Sequence, residues 1–198
     1  MSVPGSLRAA ALLLVCAVAC ERQEQPPVSP VRFVRERVVV EVAEDHTRVV
    51  GTYVFRNTSD GPRDEPMFCP FPIDRGHLYP SQVEVEEQRG DSLAPLGFAS
   101  RDMGVAWRLW LDAGEERVVR VEYTQRTLAR RAVYIVTTTK LWRRPIERAE
   151  FEVRVPAALR GVRLSFEPDR VESAGDTVLY LMTREQFMPD EDLVVTWE

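Results

Sequence analysis

The feature that most constrains this chain is a side-chain period of two, which sets in at Val31 and recurs to the C-terminus. Val38, Val40 and Val42 share one parity against Arg37, Val39 and Glu41. In residues 104–111, Val105, Trp107, Leu109 and Leu111 oppose Ala106, Arg108 and Trp110. In residues 147–155, Ala149, Phe151, Val153 and Val155 fall on one side. Such alternation fits strands with one face on a core and one in water. No segment sustains a helical period, and only residues 157–160 predict a short turn. The pattern therefore predicts an all-β fold. An antiparallel β-sandwich, immunoglobulin-like in general architecture, is expected, with a closed β-barrel as the alternative.

Turn residues divide the strands. Residues 43–47 form a polar turn, so the strand before it and residues 49–56 predict a hairpin, in which Gly51, Tyr53 and Phe55 alternate with Val50, Thr52 and Val54. Asn57-Thr58-Ser59-Asp60-Gly61-Pro62 is a dense turn signal. Pro66, Pro70, Pro72 and Pro80 remove ladder donors, which places residues 65–80 at a sheet edge or in a crossing between sheets. Residues 82–87 resume alternation, with 93–100 as their expected partner. Residues 104–111 turn through Asp112-Ala113-Gly114 into 117–125, which predicts a second hairpin. Further strands are expected at 132–138, 162–166, 177–182 and 193–197. No internal repeat or break divides residues 31–198, which predict a single sandwich domain.

The N-terminus carries a different signal. Arg8 precedes an apolar run, Ala9 to Cys20, that stops at Glu21-Arg22. The run is shorter than the ~20 apolar residues needed to cross a bilayer, and has the proportions of a secretory h-region. Ala17-Val18-Ala19-Cys20 resembles the lipobox of bacterial lipoproteins, though Ala17 departs from the commoner Leu. Residues 1–19 are then a signal peptide, and Cys20 a lipidated N-terminus anchored in the membrane by its acyl chains. Residues 20–30, polar and proline-rich, predict a flexible tether. Glu21, rather than Asp, follows the cysteine, which by resemblance to the sorting rules favours the periplasmic face of the outer membrane.

The formal net charge is -5, an acidic balance that argues against nucleic acid and against adhesion to anionic lipid heads. Lys140 is the single lysine. The arginines suit either forked recognition of carboxylates and phosphates or a GC-rich codon bias. Of the three cysteines, Cys16 leaves with the signal and Cys20 takes lipid. Cys69 then stands alone in the apolar Met67-Phe68-Cys69-Pro70 and reads as a buried, inert thiol. A Cys20–Cys69 disulfide is the competing arrangement and would exclude lipidation.

Tyr53-Val54-Phe55-Arg56-Asn57, followed by Pro70-Phe71-Pro72-Ile73-Asp74, resembles the opening of a loose group of bacterial envelope domains. That opening is similar to vault-protein and inter-alpha-trypsin-type modules. Tyr134-Ile135-Val136-Thr137-Thr138-Thr139 and Trp142-Arg143-Arg144-Pro145-Ile146 resemble such domains too. The resemblance implies a β-sandwich in an extracytoplasmic setting and no reaction.

Few residues invite chemistry. His46 and His77 lack the ligand spacing of a zinc site, and no metal or cofactor is expected. Asp74, His77 and Ser81 lie close in sequence, but no nucleophile elbow surrounds Ser81, and no catalytic residue is assigned. Asp190-Glu191-Asp192 lacks the spacing of a calcium loop. Asn57-Thr58-Ser59 matches a glycosylation sequon of little weight in a bacterial chain. Trp107 and Trp110 lie an odd number apart, so one should face the core and the other water. Trp142, Arg143 and Arg144 gather an aromatic and two guanidinium groups in a connection stiffened by Pro145, a pattern suited to a binding surface or to packing at the rim. The reading is an envelope lipoprotein acting as a non-enzymatic binding or scaffolding module towards another envelope protein. An envelope-directed hydrolase is the alternative.

Overall fold

The computed structural model describes residues 28–198. A hairpin opens the domain: β1 (Val31–Val42) turns into β2 (His46–Asn57), with Val38 opposite Gly51 and Val40 opposite Val49. The chain continues through β3 (Arg63–Pro70), β4 (Gln82–Arg89), β5 (Ser92–Pro95), β6 (Ala99–Arg101), β7 (Gly104–Leu111) and β8 (Glu116–Arg126). After β9 (Arg131–Tyr134) comes a short 3-10 helix, Thr137–Trp142. It leads to β10 (Ile146–Pro156), β11 (Arg163–Leu164), β12 (Arg170–Ala174), β13 (Thr177–Phe187) and β14 (Leu193–Thr196).

Eight strands form one large sheet in the order β12-β13-β10-β1-β2-β8-β4-β5, and two smaller sheets run β11-β14-β9 and β3-β7-β6. Inward residues of all three meet in one core: Val38, Val121 and Phe151 from the large sheet pack with Leu109 and Leu111 from one small sheet and Leu193 and Val195 from the other. The large sheet is open at both ends, so the fold is a sandwich and not the closed barrel. The outward parity of the large sheet is laced by arginine and glutamate. Arg48 donates to Glu41 at 2.8 Å and to Glu122 at 2.6 Å, and Arg154 joins Glu41 at 2.8 Å. The arginines of this face are thus cross-strand partners of carboxylates, each exposed pair adding little stability.

Four expectations are corrected. Residues 104–111 and 117–125 do not form a hairpin: β7 pairs with β3 and β6, while β8 lies between β2 and β4. Alternation fixes which side chains face the core, and that face is the same whether the next strand lies beside or across the sandwich. The Asp112-Ala113-Gly114 turn carries the chain from one layer to the other. Asn57, wholly buried, holds this corner by donating from Nδ2 to the carbonyls of Gly61 (2.8 Å) and Asp112 (2.9 Å). Second, the sandwich is not antiparallel throughout, since β1 and β10 pair in parallel, with Val38 beside Phe151. Third, the strand expected at 132–138 ends at Tyr134, because Asp192 Oδ1 accepts from the Val136 and Thr137 amides at 3.0 Å each and turns the chain into the 3-10 helix. Fourth, residues 93–100 are divided: β5 pairs with β4, and β6 joins β7 in the other layer. The edge position of the proline-bearing segment is as expected, with β3 outermost in its sheet.

Candidate functional site

The inward parity of β1 contains one discordant residue. A register irregularity between Phe33 and Arg35 shifts the alternation by one, so Phe33 before it and Glu36 after it both point into the sandwich. Glu36 stands opposite Tyr53 on β2 and beside Ala149 on β10, and only 4% of it is exposed. Its Oε2 lies 3.5 Å from the Tyr134 hydroxyl, and its Oε1 has no partner. Tyr134 and Tyr53 share a hydrogen bond at 3.0 Å between hydroxyls. Gly51, two residues from Tyr53 on the same face, has no side chain because a Cβ there would collide with the Tyr53 hydroxyl.

These groups line a cavity of about 60 Å³ where the three sheets meet. Glu36, Phe33, Tyr53 and Phe55 come from the large sheet, Cys69 and Trp107 from one small sheet, and Tyr134 from the other. The Trp107 indole Nε1 is buried and, like Glu36 Oε1, has no partner. A buried donor or acceptor left unpaired typically costs about 1–3 kcal/mol, so two of the residues lining the cavity carry polarity that the fold itself does not use.

Burial dominates the electrostatics. It raises the Glu36 carboxyl to about 8, the Tyr134 hydroxyl offsetting a part. It pushes the Cys69 thiol up to about 12 and the Tyr53 and Tyr134 phenols well above their ordinary value. Cys69 is a buried free thiol and stays protonated at neutral pH, as the inert reading expected.

Trp142 forms the outer wall of the cavity. It is half-buried, with its ring 5.6 Å from Phe55 and 6.1 Å from Phe33 between centroids. Arg143 ends the 3-10 helix in the left-handed region (φ 56°) and, with Leu141 and Phe68, borders a shallow groove outside Trp142. Leu141 is 79% exposed and Phe68 52%. Arg144 is exposed beside them. The sequence-predicted trio is therefore split between a cavity wall and its rim. Cys20 and residues 1–27 lie outside the described residues.

The other sequence candidates are engaged elsewhere. His77 Nδ1 meets Asp74 Oδ1 at 2.8 Å and Nε2 meets the Arg131 carbonyl at 2.8 Å, while the Ser81 hydroxyl approaches the Thr124 carbonyl at 3.4 Å. No His–Ser bond joins the three. Asp190 pairs with Lys140 at 2.8 Å, and Asp192 is spent on the 3-10 helix. Asn57 of the sequon is inaccessible at the corner it staples. Trp107 is buried and Trp110 is 54% exposed, as their spacing predicted. Sequence reasoning missed Glu36, Tyr53 and Tyr134 as a group. The available signal was Glu36 itself, a carboxylate sharing the parity of Val38, Val40 and Val42.

Solved structures share this architecture. A candidate nutrient binding protein of Legionella pneumophila is 16% identical, with 86% of this chain and 68% of that one covered at a TM-score of 0.64. An M1 zinc metallopeptidase of Deinococcus radiodurans is 16% identical, with 85% of this chain covered at a TM-score of 0.51. The likeness is one of fold. This chain spans 42% of the metallopeptidase, and among its own described residues no three His, Cys, Asp or Glu gather to hold a metal. No protein-family model and no curated protein matches the chain, so the envelope-domain and vault-type resemblances rest on the motifs alone.

Proposed function

We propose that the chain is a bacterial envelope lipoprotein, tethered through Cys20 and residues 20–30, whose sandwich is a non-enzymatic binding module. The observation that carries this reading is a cavity whose lining residues include Glu36 and Trp107, each bearing a buried polar atom without a partner. Preformed concave sites with a few polar groups in an apolar, aromatic wall are the usual form of small-ligand pockets. The exposed rim of Phe68, Leu141 and Arg143 offers a contact for an envelope protein partner beside that mouth. The fold of a candidate nutrient binding protein supports the same reading. Thiol- or His77-based hydrolysis is disfavoured, since the Cys69 thiol is raised to about 12 and both His77 ring nitrogens are occupied.

The test is a thermal-melt panel of small cationic, neutral and anionic compounds against the wild-type chain and Glu36→Leu. A rise in Tm for at least one compound, lost in Glu36→Leu, is expected. No shift for any class would remove the cavity as a binding site.

A further inference from the structure

Two residues that line one small cavity carry unpaired groups of opposite character. Glu36 Oε1 is a buried acceptor and Trp107 Nε1 a buried donor, and the residues bearing them line the same cavity. Around them stand aromatic rings in close order: Phe33 lies 5.9 Å from Tyr53, 5.1 Å from Phe55 and 6.1 Å from Trp142, and Phe55 lies 5.6 Å from Trp142. No arginine, lysine or histidine stands among the described residues of the lining. An anion would meet a carboxyl and the negative faces of rings, with no positive group to hold it. A cation meets the reverse, since ring faces attract positive charge most strongly where water is excluded.

We infer that the cavity takes a small amino alcohol, its ammonium against Glu36 Oε1 and the aromatic faces, its oxygen accepting from Trp107 Nε1. The inference rests on the reading of the cavity as a ligand site. Size agrees. A single water needs roughly 10–15 Å³ of this kind of space, so about 60 Å³ suits a molecule of about four heavy atoms. An amine alone leaves Trp107 unpaired, and an alcohol alone leaves ionised Glu36 without its counter-charge.

A pH dependence follows from the groups that face Glu36. These are Tyr53 from β2, Cys69 from β3 and Tyr134 from β9, with uncharged Ala149 beside it on β10. Burial raises the two phenols and the thiol, leaving Glu36 as the group of this set that titrates near neutrality. Binding a cation requires Glu36 to lose its proton, so affinity should rise with pH up to about 8.

The experiment is calorimetric titration of the full-length chain with ethanolamine, against 1,2-ethanediol as the neutral and glycolate as the anionic counterpart. At pH 8 ethanolamine should bind at least about tenfold tighter than either. It should weaken about tenfold from pH 7 to pH 6, with about one proton released per ligand at pH 7. Buffers of different ionisation enthalpy read that proton. Glu36→Gln should abolish the preference and the pH slope without lowering Tm. Trp107→Phe should weaken ethanolamine more than methylamine. A flat pH profile, or equal binding of the diol, overturns the cation while leaving the cavity a binding site. Failure of all three ligands, together with a blank melt panel, overturns both.

Discussion

Glu36→Gln isolates the energetic consequence of placing a carboxyl in the sandwich. Burial raises the Glu36 carboxyl from 4.5 to about 8. Below pH 4.5 both the folded and the unfolded chain hold the proton, and burial of this group carries no ionisation cost. As pH rises from 4.5 the unfolded chain releases its proton while the folded chain keeps it, so stability falls. The slope is about 1.36 kcal/mol per pH unit for one proton. It ends near pH 8, where the folded state ionises too. Over the whole window the loss is about 5 kcal/mol, most of it accrued by pH 7. That is a large fraction of a typical domain stability of about 5–15 kcal/mol. Urea titrations of wild type and Glu36→Gln at pH 5, 6, 7, 8 and 9 measure it. Depressed carboxylates such as Asp74 and Glu122 contribute the opposite slope in acid but are common to both chains and cancel in the difference. The variant should gain on wild type by roughly a kcal/mol per unit between pH 5 and 8 and then hold level. A difference that stays within about 0.5 kcal/mol from pH 5 to 8 would refute the buried-acid account.

Four further outcomes are expected. Phe151→Ala should cost about 3–5 kcal/mol by denaturant titration, because Phe151 is 2% exposed and its ring meets Phe166 at 5.8 Å and Phe187 at 5.5 Å. Asn57→Ala should cost roughly 2–4 kcal/mol, since it frees buried carbonyls at the corner between layers; a cost under about 0.5 kcal/mol would contradict the staple. Gly51→Ala should displace Tyr53 and lower Tm, because an added Cβ would collide with the Tyr53 hydroxyl and ring carbons; an unchanged Tm would contradict that close approach. Cys20→Ser should abolish labelling by a fatty-acid analogue and release the chain from membranes; an unlabelled wild type would retire the lipid anchor.

The strands themselves were legible because burial imposes a period of two on any strand with one wet face. Inward Val105, Trp107, Leu109 and Leu111, and inward Ala149, Phe151, Val153 and Val155, are buried as their parity required. Partnership was not legible. The same alternation serves β7 facing β8 across the core as would serve the two side by side, and Asp-Ala-Gly suits either turn. β12 carried no signal because four of its five residues, Arg170, Val171, Ser173 and Ala174, are exposed and no apolar parity marks it. The 3-10 helix was hidden for a different reason: residues 135–139 are β-prone, and what bends them is Asp192, a contact some 55 residues away in the chain.

Of the candidate site, the sequence marked Trp142 and missed Glu36, and the reason lay in the rule that located the core. Trp142 was singled out for its chemistry, and it walls the cavity, but the polar centre behind it belongs to Glu36. A carboxylate at an inward parity position contradicts the pattern that defines the strand. The sequence alone offers two resolutions: a bulge that turns the residue outward, or a buried acid. Here the bulge exists, yet it acts the other way. The irregularity between Phe33 and Arg35 brings Phe33 onto the inward side together with Glu36, so that ring and carboxyl line one cavity. Without that single-residue shift, Phe33 and Glu36 would face opposite layers, and the ring contacts from Phe33 to Tyr53, Phe55 and Trp142 could not form. The bulge is what sets the buried acid in a walled cavity. Gly51 completes it from the neighbouring strand by leaving the space into which Tyr53 folds.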